Sequence, residues 1–229
     1  MAKRKKGEQR TGECAYCGAV GPVTRDHVPP ENLFPEPLPK NLITVPACNT
    51  CNGSFKLDDE YFRLAVTAGI DGEAYPRELA HSIAAIKKLA DPKKRPFARR
   101  MLAAQHLVEV KTPAGIHLGH APGQIVDGDR VLKTVKRTVR GLYFHHVGRR
   151  LPAEHEIRAF FVANPSFFDT PEVATILNTM CAPLVLGNDV LIYRYSLTEG
   201  DAGSAWTLLF FDRHAFLVLT VLPENESGA

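Results

Sequence analysis

The stretch CAYCGAVGPVTRDHVPPENLFPEPLPKNLITVPACNTCN, Cys14 to Asn52, carries the most constrained spacing in this 229-residue chain. Cys14-x2-Cys17 and Cys48-x2-Cys51 stand thirty residues apart, and each pair places two sulfurs on one tight turn. Four thiolates from two such turns can close a tetrahedron around zinc at about 2.3 Å per bond. With every position filled by sulfur, such a site is structural, and metal binding supplies folding free energy to a segment too rich in proline and glycine to build its own core. A redox dithiol is the other reading of a CxxC, but it needs one pair and not two. Six prolines between Pro22 and Pro39 exclude a continuous helix between the pairs. Short extended segments are expected at residues 19–24 and 42–45. A helix is expected from Asn49 onward, with Phe55, Tyr61, Phe62, Leu64 and Ala65 on its apolar side. The local order is therefore hairpin, loop, helix.

Between the knuckles lies Arg25-Asp26-His27-Val28-Pro29-Pro30, followed by Asn41-Leu42 and by Asn52 directly after the second pair. An Asp-His dipeptide in a loop is ordinarily a surface pair, and Asn52 alone reads as helix-capping chemistry. The ordered set CAYC, DHVPP, NLITVPAC and CNTCN resembles the zinc-containing HNH endonucleases of the His-Me finger superfamily, over roughly residues 14–60. That resemblance implies a ββα-metal fold, a structural zinc on Cys14, Cys17, Cys48 and Cys51, and metal-dependent hydrolysis of DNA phosphodiesters. It further implies that His27 is the general base, that Asp26 and Asn52 hold a catalytic Mg²⁺ or another divalent ion, and that Asn41 braces the loop carrying His27. RNA as substrate is compatible with the same motifs. Two departures from the family pattern stand out. Phe55 occupies the place where many relatives carry a basic residue, with Lys56 one position later. The usual glycine-rich loop is replaced by the proline-rich ENLFPEPLPK. Lys56 and Arg25 are candidate phosphate contacts, and Arg25 beside an aspartate also fits a surface ion pair.

Outward from this module, residues 76–110 read as helical, interrupted by DPKKRP, and 113–129 as loop. VLKTVKRTVRGLYFHH reads as a helix with Val131, Val135, Val139 and Leu142 on one face and Lys133, Lys136, Arg137 and Arg140 on the other. EIRAFFVA, VLIYRYSL, WTLLFF and AFLVLTVL have strand length and composition. The expected fold class is α+β. A basic flexible tail (1–12) would precede the HNH-like module with its four-cysteine zinc site (13–70). A helical basic connector (71–126) would lead to an α+β C-terminal domain with a small antiparallel sheet (127–229). Net charge is only +3, yet residues 71–150 carry 16 Lys and Arg against 7 Asp and Glu, whereas 151–229 carry 3 against 10. Such a basic middle suits a phosphate backbone, contacted through Lys133, Lys136, Arg137 and Arg140. It equally suits an acidic tail facing it within one fold. The rival function is a non-catalytic zinc module binding nucleic acid or protein. A protein partner or second copy would engage the C-terminal half. No run approaches the length of about 20 apolar residues that spans a bilayer, and the basic start lacks an apolar signal core, so a cytoplasmic protein is expected. Cys181, alone in MCAPLVL, is expected to be a buried small hydrophobe. The tandem His145 and His146 lack the carboxylate or cysteine that a second metal site would need.

Overall fold

The structure, a computed structural model, describes residues 10–68, 72–87, 91, 95–112, 114–163, 167 and 170–223. It begins with three antiparallel strands in the order β1-β2-β3: β1 (Arg10–Glu13), β2 (Val20–Val28) and β3 (Ile43–Cys48). Helix α1 (Asn49–Thr67) follows without a break. The tail expected over residues 1–12 thus gives up its last residues to β1, where Arg10 pairs with Val23 and Gly12 with Gly21; residues 1–9 lie outside those described. In α1 the apolar and buried side chains concentrate in the C-terminal half (Tyr61, Phe62, Leu64, Val66), leaving the first three turns exposed or half-exposed.

Helices α2 (Pro76–Lys87) and α3 (Arg95–Ala103) come next, then a two-stranded ribbon of β4 (Gln105–Lys111) and β5 (His117–Gln124). This ribbon corrects two expectations. The helical pattern that ran to Val110 stops at Ala103, and the segment read as loop contains a strand. In HLVEVK the β-branched Val108 and Val110 alternate with polar neighbours, a period-2 signal too short to stand out beside the helix before it. Gly115, at φ +83°, makes the turn between the two strands, its amide bonding Thr112 O at 2.8 Å.

Helix α4 (Gly128–Val147) fills the predicted basic amphipathic segment. Asp127 caps its start by accepting from the Arg130 amide at 3.1 Å, and Gly148 in the left-handed region ends it, its amide bonding Phe144 O at 2.9 Å. The remaining chain forms β6 (Glu156–Val162), α5 (Pro171–Leu177), β7 (Leu184–Leu186), β8 (Leu191–Leu197), β9 (Gly203–Phe210) and β10 (His214–Val221). These five strands make one antiparallel sheet in the order β6-β10-β9-β8-β7, so the α+β class and the small antiparallel sheet are both present.

What the sequence did not foresee is the place of α4. It packs against α1, β2 and β3, and also against β6 and β10. Val135, Val139 and Leu142 are fully buried, and one continuous apolar cluster runs from Val28, Val45 and Phe62 through them to Trp206, Phe210 and Phe216. The expected module and C-terminal domain therefore share a core, with α4 as the common layer. Gly141 permits the closest approach: a Cβ there would sit 2.5 Å from a methyl of Val28, the residue after His27.

Double burial also overturns the reading of α4's polar face. Arg137 is buried, and so are Thr134 and Thr138. Three of the helix cations pair with α1, while Lys136 attracts Glu156 of the acidic tail. Arg130 and Lys133 meet Asp58 at 2.8 and 2.7 Å, and Arg137 takes Asp59. Arg137 is thus buried and committed to Asp59, while still lining the groove it shares with Lys133, Lys136 and Arg140. Asp58, held by these two cations in spite of its partial burial, has its carboxyl pulled below the ordinary carboxylate range. Cys181 is half-buried, its sulfur accepting from the Tyr195 amide at 3.3 Å. His146 stacks on Tyr195 and lies 3.0 Å from the Tyr193 hydroxyl, an aromatic packing role. No described helix is long and apolar enough to cross a membrane.

Candidate metal centre and cleft

Hairpin β1–β2 and the β3–α1 junction bring the two CxxC pairs face to face. The Sγ atoms of Cys14, Cys17, Cys48 and Cys51 lie within 4.8 Å of one another, so the four thiols can hold one metal ion, and their softness suits zinc. Among the described residues no other group of three or more His, Cys, Asp or Glu side chains converges in this way. Cys48 is the N-cap of α1, its sulfur accepting from the Cys51 amide at 3.5 Å. At Cys14 burial pushes the thiol up, but the amides of Cys48, Cys17 and Tyr16 outweigh it and bring it down to about 7.

Beside this knuckle opens a cleft of about 490 Å³. Arg25, Asp26, His27 and Glu31 line it from β2 and the following loop, Asn52, Lys56 and Asp59 from α1, and His81 from α2. The three residues expected to do chemistry, Asp26, His27 and Asn52, therefore share one cavity, although Asn52 is 25 positions from His27 in sequence. His27 Nδ1 lies 2.7 Å from Glu31 Oε2. Donation from Nδ1 to that carboxylate leaves Nε2 with its lone pair, as a base or ligand requires. The Asn52 amide nitrogen donates to Thr24 Oγ1 at 2.9 Å, which leaves its carbonyl oxygen as the free ligand atom.

Asp26 is the most enclosed member of the set. Its Oδ2 accepts from the Tyr16 hydroxyl and lies 3.9 Å from Arg137 Nη1. Arg137 in turn forks onto Asp59, with Nη1 3.3 Å from Oδ2 and Nη2 on Oδ1, and its guanidinium stacks 4.3 Å from the Phe55 ring. Burial pushes the Asp59 carboxyl up to about 6; the charge and hydrogen bonds of Arg137 work against it, and the neighbouring Asp26 and Asp58 add to it.

Asn41 lies elsewhere. Its Nδ2 donates to Val185 O at 2.9 Å and its Oδ1 accepts from Gly187 N at 3.3 Å, so it ties the proline-rich segment to β7 of the C-terminal sheet. Its side chain bonds to the C-terminal sheet, and Asn41 does not line the cleft. Lys56 and Arg25 both border the cleft with exposed side chains. Lys133 and Arg140 are exposed and Lys136 half-exposed along a groove of about 480 Å³ that shares Asp59 with the cleft.

Four residues near the site escaped the sequence reading. Two had a signal. Glu31 lies four positions after His27, and Asp59 lies seven after Asn52, two helical turns along the same face. Tyr16 and His81, the latter 3.1 Å from Asn32 O, had none. The chain matches no protein family, no curated protein and no solved structure.

Proposed function

We propose that this protein is a metal-dependent endonuclease of the HNH type, hydrolysing DNA phosphodiesters in the cleft beside a structural zinc. The observation that carries the reading is the convergence of Asp26, His27 and Asn52 on one cavity next to a four-cysteine cluster. In this reading β2, β3 and α1 are a ββα-metal module. Zinc on Cys14, Cys17, Cys48 and Cys51 fixes the start of α1, and with it Asn52, which follows Cys51 directly.

The donor set fits a hard divalent cation such as Mg²⁺, one carboxylate and one amide oxygen from the protein, with water and substrate phosphate completing the shell. When bound, that ion supplies Lewis-acid stabilisation of charge on the phosphate oxygens. The chain's own residues do the rest. His27 Nε2 takes a proton from the attacking water, and Glu31, on Nδ1, stabilises the imidazolium so formed. The new bond joins the water oxygen to phosphorus while the bond to the 3′ oxygen breaks. That oxygen takes a proton from solvent, leaving a 5′ phosphate and a 3′ hydroxyl. Lys56 and Arg25 flank the cleft as phosphate contacts, and the backbone continues along the groove bordered by Lys136 and Arg140.

Incubation with supercoiled plasmid and Mg²⁺ or Mn²⁺, beside single-stranded and double-stranded RNA, tests the reading. Nicking or linearisation that requires the divalent ion is the expected result. Cleavage of RNA alone would keep the chemistry and replace the substrate; binding without cleavage of either would make the protein a zinc-dependent binding module. The groove makes a separate prediction. Lys136→Glu with Arg140→Glu should weaken DNA binding uniformly across sequences and lower the slope of log affinity against log salt by about 2. Fluorescence anisotropy across a salt series measures this, and an unchanged slope would take the groove out of the interface.

A further inference from the structure

We propose that Tyr16 is a positioning residue through which metal in the cysteine knuckle controls the cation affinity of the cleft; this rests on the nuclease reading of that cleft. Tyr16 lies between two of the four sulfurs, in the turn Cys14-Ala15-Tyr16-Cys17. The Ala15 amide bonds Pro46 O at 2.8 Å, and the Gly18 amide bonds Cys14 O at 2.9 Å, so the turn is registered on β3. From it the Tyr16 ring packs edge-on against Phe55 at 5.1 Å and sends its hydroxyl to Asp26 Oδ2.

The chemistry of that contact is selective. Tyr16 and Arg137 both address Oδ2, and Asp26 borders the cleft, so Oδ1 is the oxygen left for a cation. Arg137 is already committed to Asp59 and reaches Asp26 only at 3.9 Å, which leaves the tyrosine hydroxyl as the close fixed donor. Partners that orient a ligating carboxylate in this manner commonly govern metal affinity about 10- to 100-fold. Loss of metal from the knuckle takes the tyrosine hydroxyl from its fixed place together with the fold of the turn that carries it. Cation binding in the cleft and metal binding in the knuckle are then linked, and the linkage is reciprocal.

The test uses the full zinc-loaded chain and Mn²⁺ as probe, read by electron paramagnetic resonance, with zinc content and melting temperature measured on each sample. Asn52→Ala, which removes a cleft ligand, assigns the signal to the cleft. Tyr16→Phe keeps the ring and removes one oxygen. It should retain one zinc per chain and melt near the wild-type temperature, while its Mn²⁺ affinity falls about 10-fold or more. A merely structural tyrosine would move the melting temperature and not the affinity. Mn²⁺ binding within two-fold of wild type in Tyr16→Phe would overturn the proposal alone. Loss of zinc from that variant would make Tyr16 part of the knuckle and overturn it as well. A wild-type chain that binds no Mn²⁺ would remove the nuclease reading together with it.

Discussion

Stripping the metal from the four-cysteine knuckle is expected to unfold the N-terminal third of the chain. Structural zinc contributes apparent binding free energies of about 10–16 kcal/mol, comparable with or above the roughly 5–15 kcal/mol that typically separates folded from unfolded domains. Little else holds this region locally. β1 has four residues, six prolines interrupt the segment between Pro22 and Pro39, and the N-cap of α1 is itself one of the four cysteines that can hold the metal. The loss would spread, because Val28, Phe34 and Val45 belong to the same apolar cluster as α4 and the C-terminal sheet. Circular dichroism and thermal melting with and without a strong chelator measure it, and Cys48→Ser should reproduce the chelated state. Metal-free protein melting at the wild-type temperature would contradict this account of the knuckle.

Arg137→Met is expected to be the most destabilising single change away from the cysteines, by about 3–5 kcal/mol. The arginine is 7% exposed and stands between Asp26 and Asp59, whose side chains are 10% and 19% exposed. Methionine fills much of the same volume against Phe55 but leaves two carboxylates facing each other without their cation. Asp59, already pushed up to about 6 by burial, would be pushed further and would take up a proton. The double variant Asp59→Asn, Arg137→Met should therefore recover most of the loss. Urea denaturation of the two singles and the double gives the coupling directly. Additive losses would mean that the pair is not the reason Arg137 is buried.

The parts of this protein that follow from local rules were legible in its sequence. The start of α1 at Asn49, the first halves of β2 and β3, the span of α4 and four of the five strands in the C-terminal sheet all carry periodicity or caps that act over a few residues. Cysteine spacing likewise announced the knuckle. The failures came where distant chain segments decide. Arg137 sits at a polar position of an amphipathic pattern, and only the packing of α4 against two layers at once buries it. Asn41 looked local to His27, yet its partners Val185 and Gly187 are more than 140 positions away. The β4–β5 ribbon was masked by the helical segment before it and by Gly119, Pro122 and Gly123, which read as loop.

The same distinction applies inside the cleft. His27, Asp26 and Asn52 became candidates through the resemblance that their place beside the two knuckles carries. Their environment was invisible: Tyr16 on Asp26, Glu31 on His27 and Thr24 on Asn52 each depend on strand register or loop closure.

The most direct test of the nuclease reading compares wild-type protein with His27→Ala on supercoiled plasmid, in saturating Mn²⁺, with one zinc per chain verified in both. Loss of a general base typically costs about 10²–10⁴-fold in rate. Divalent-dependent cleavage by the wild type and a fall of that size in the variant is the result expected. Equal cleavage by both proteins, or none by the wild type, would contradict the assignment of this cleft as a nuclease centre with His27 as its base.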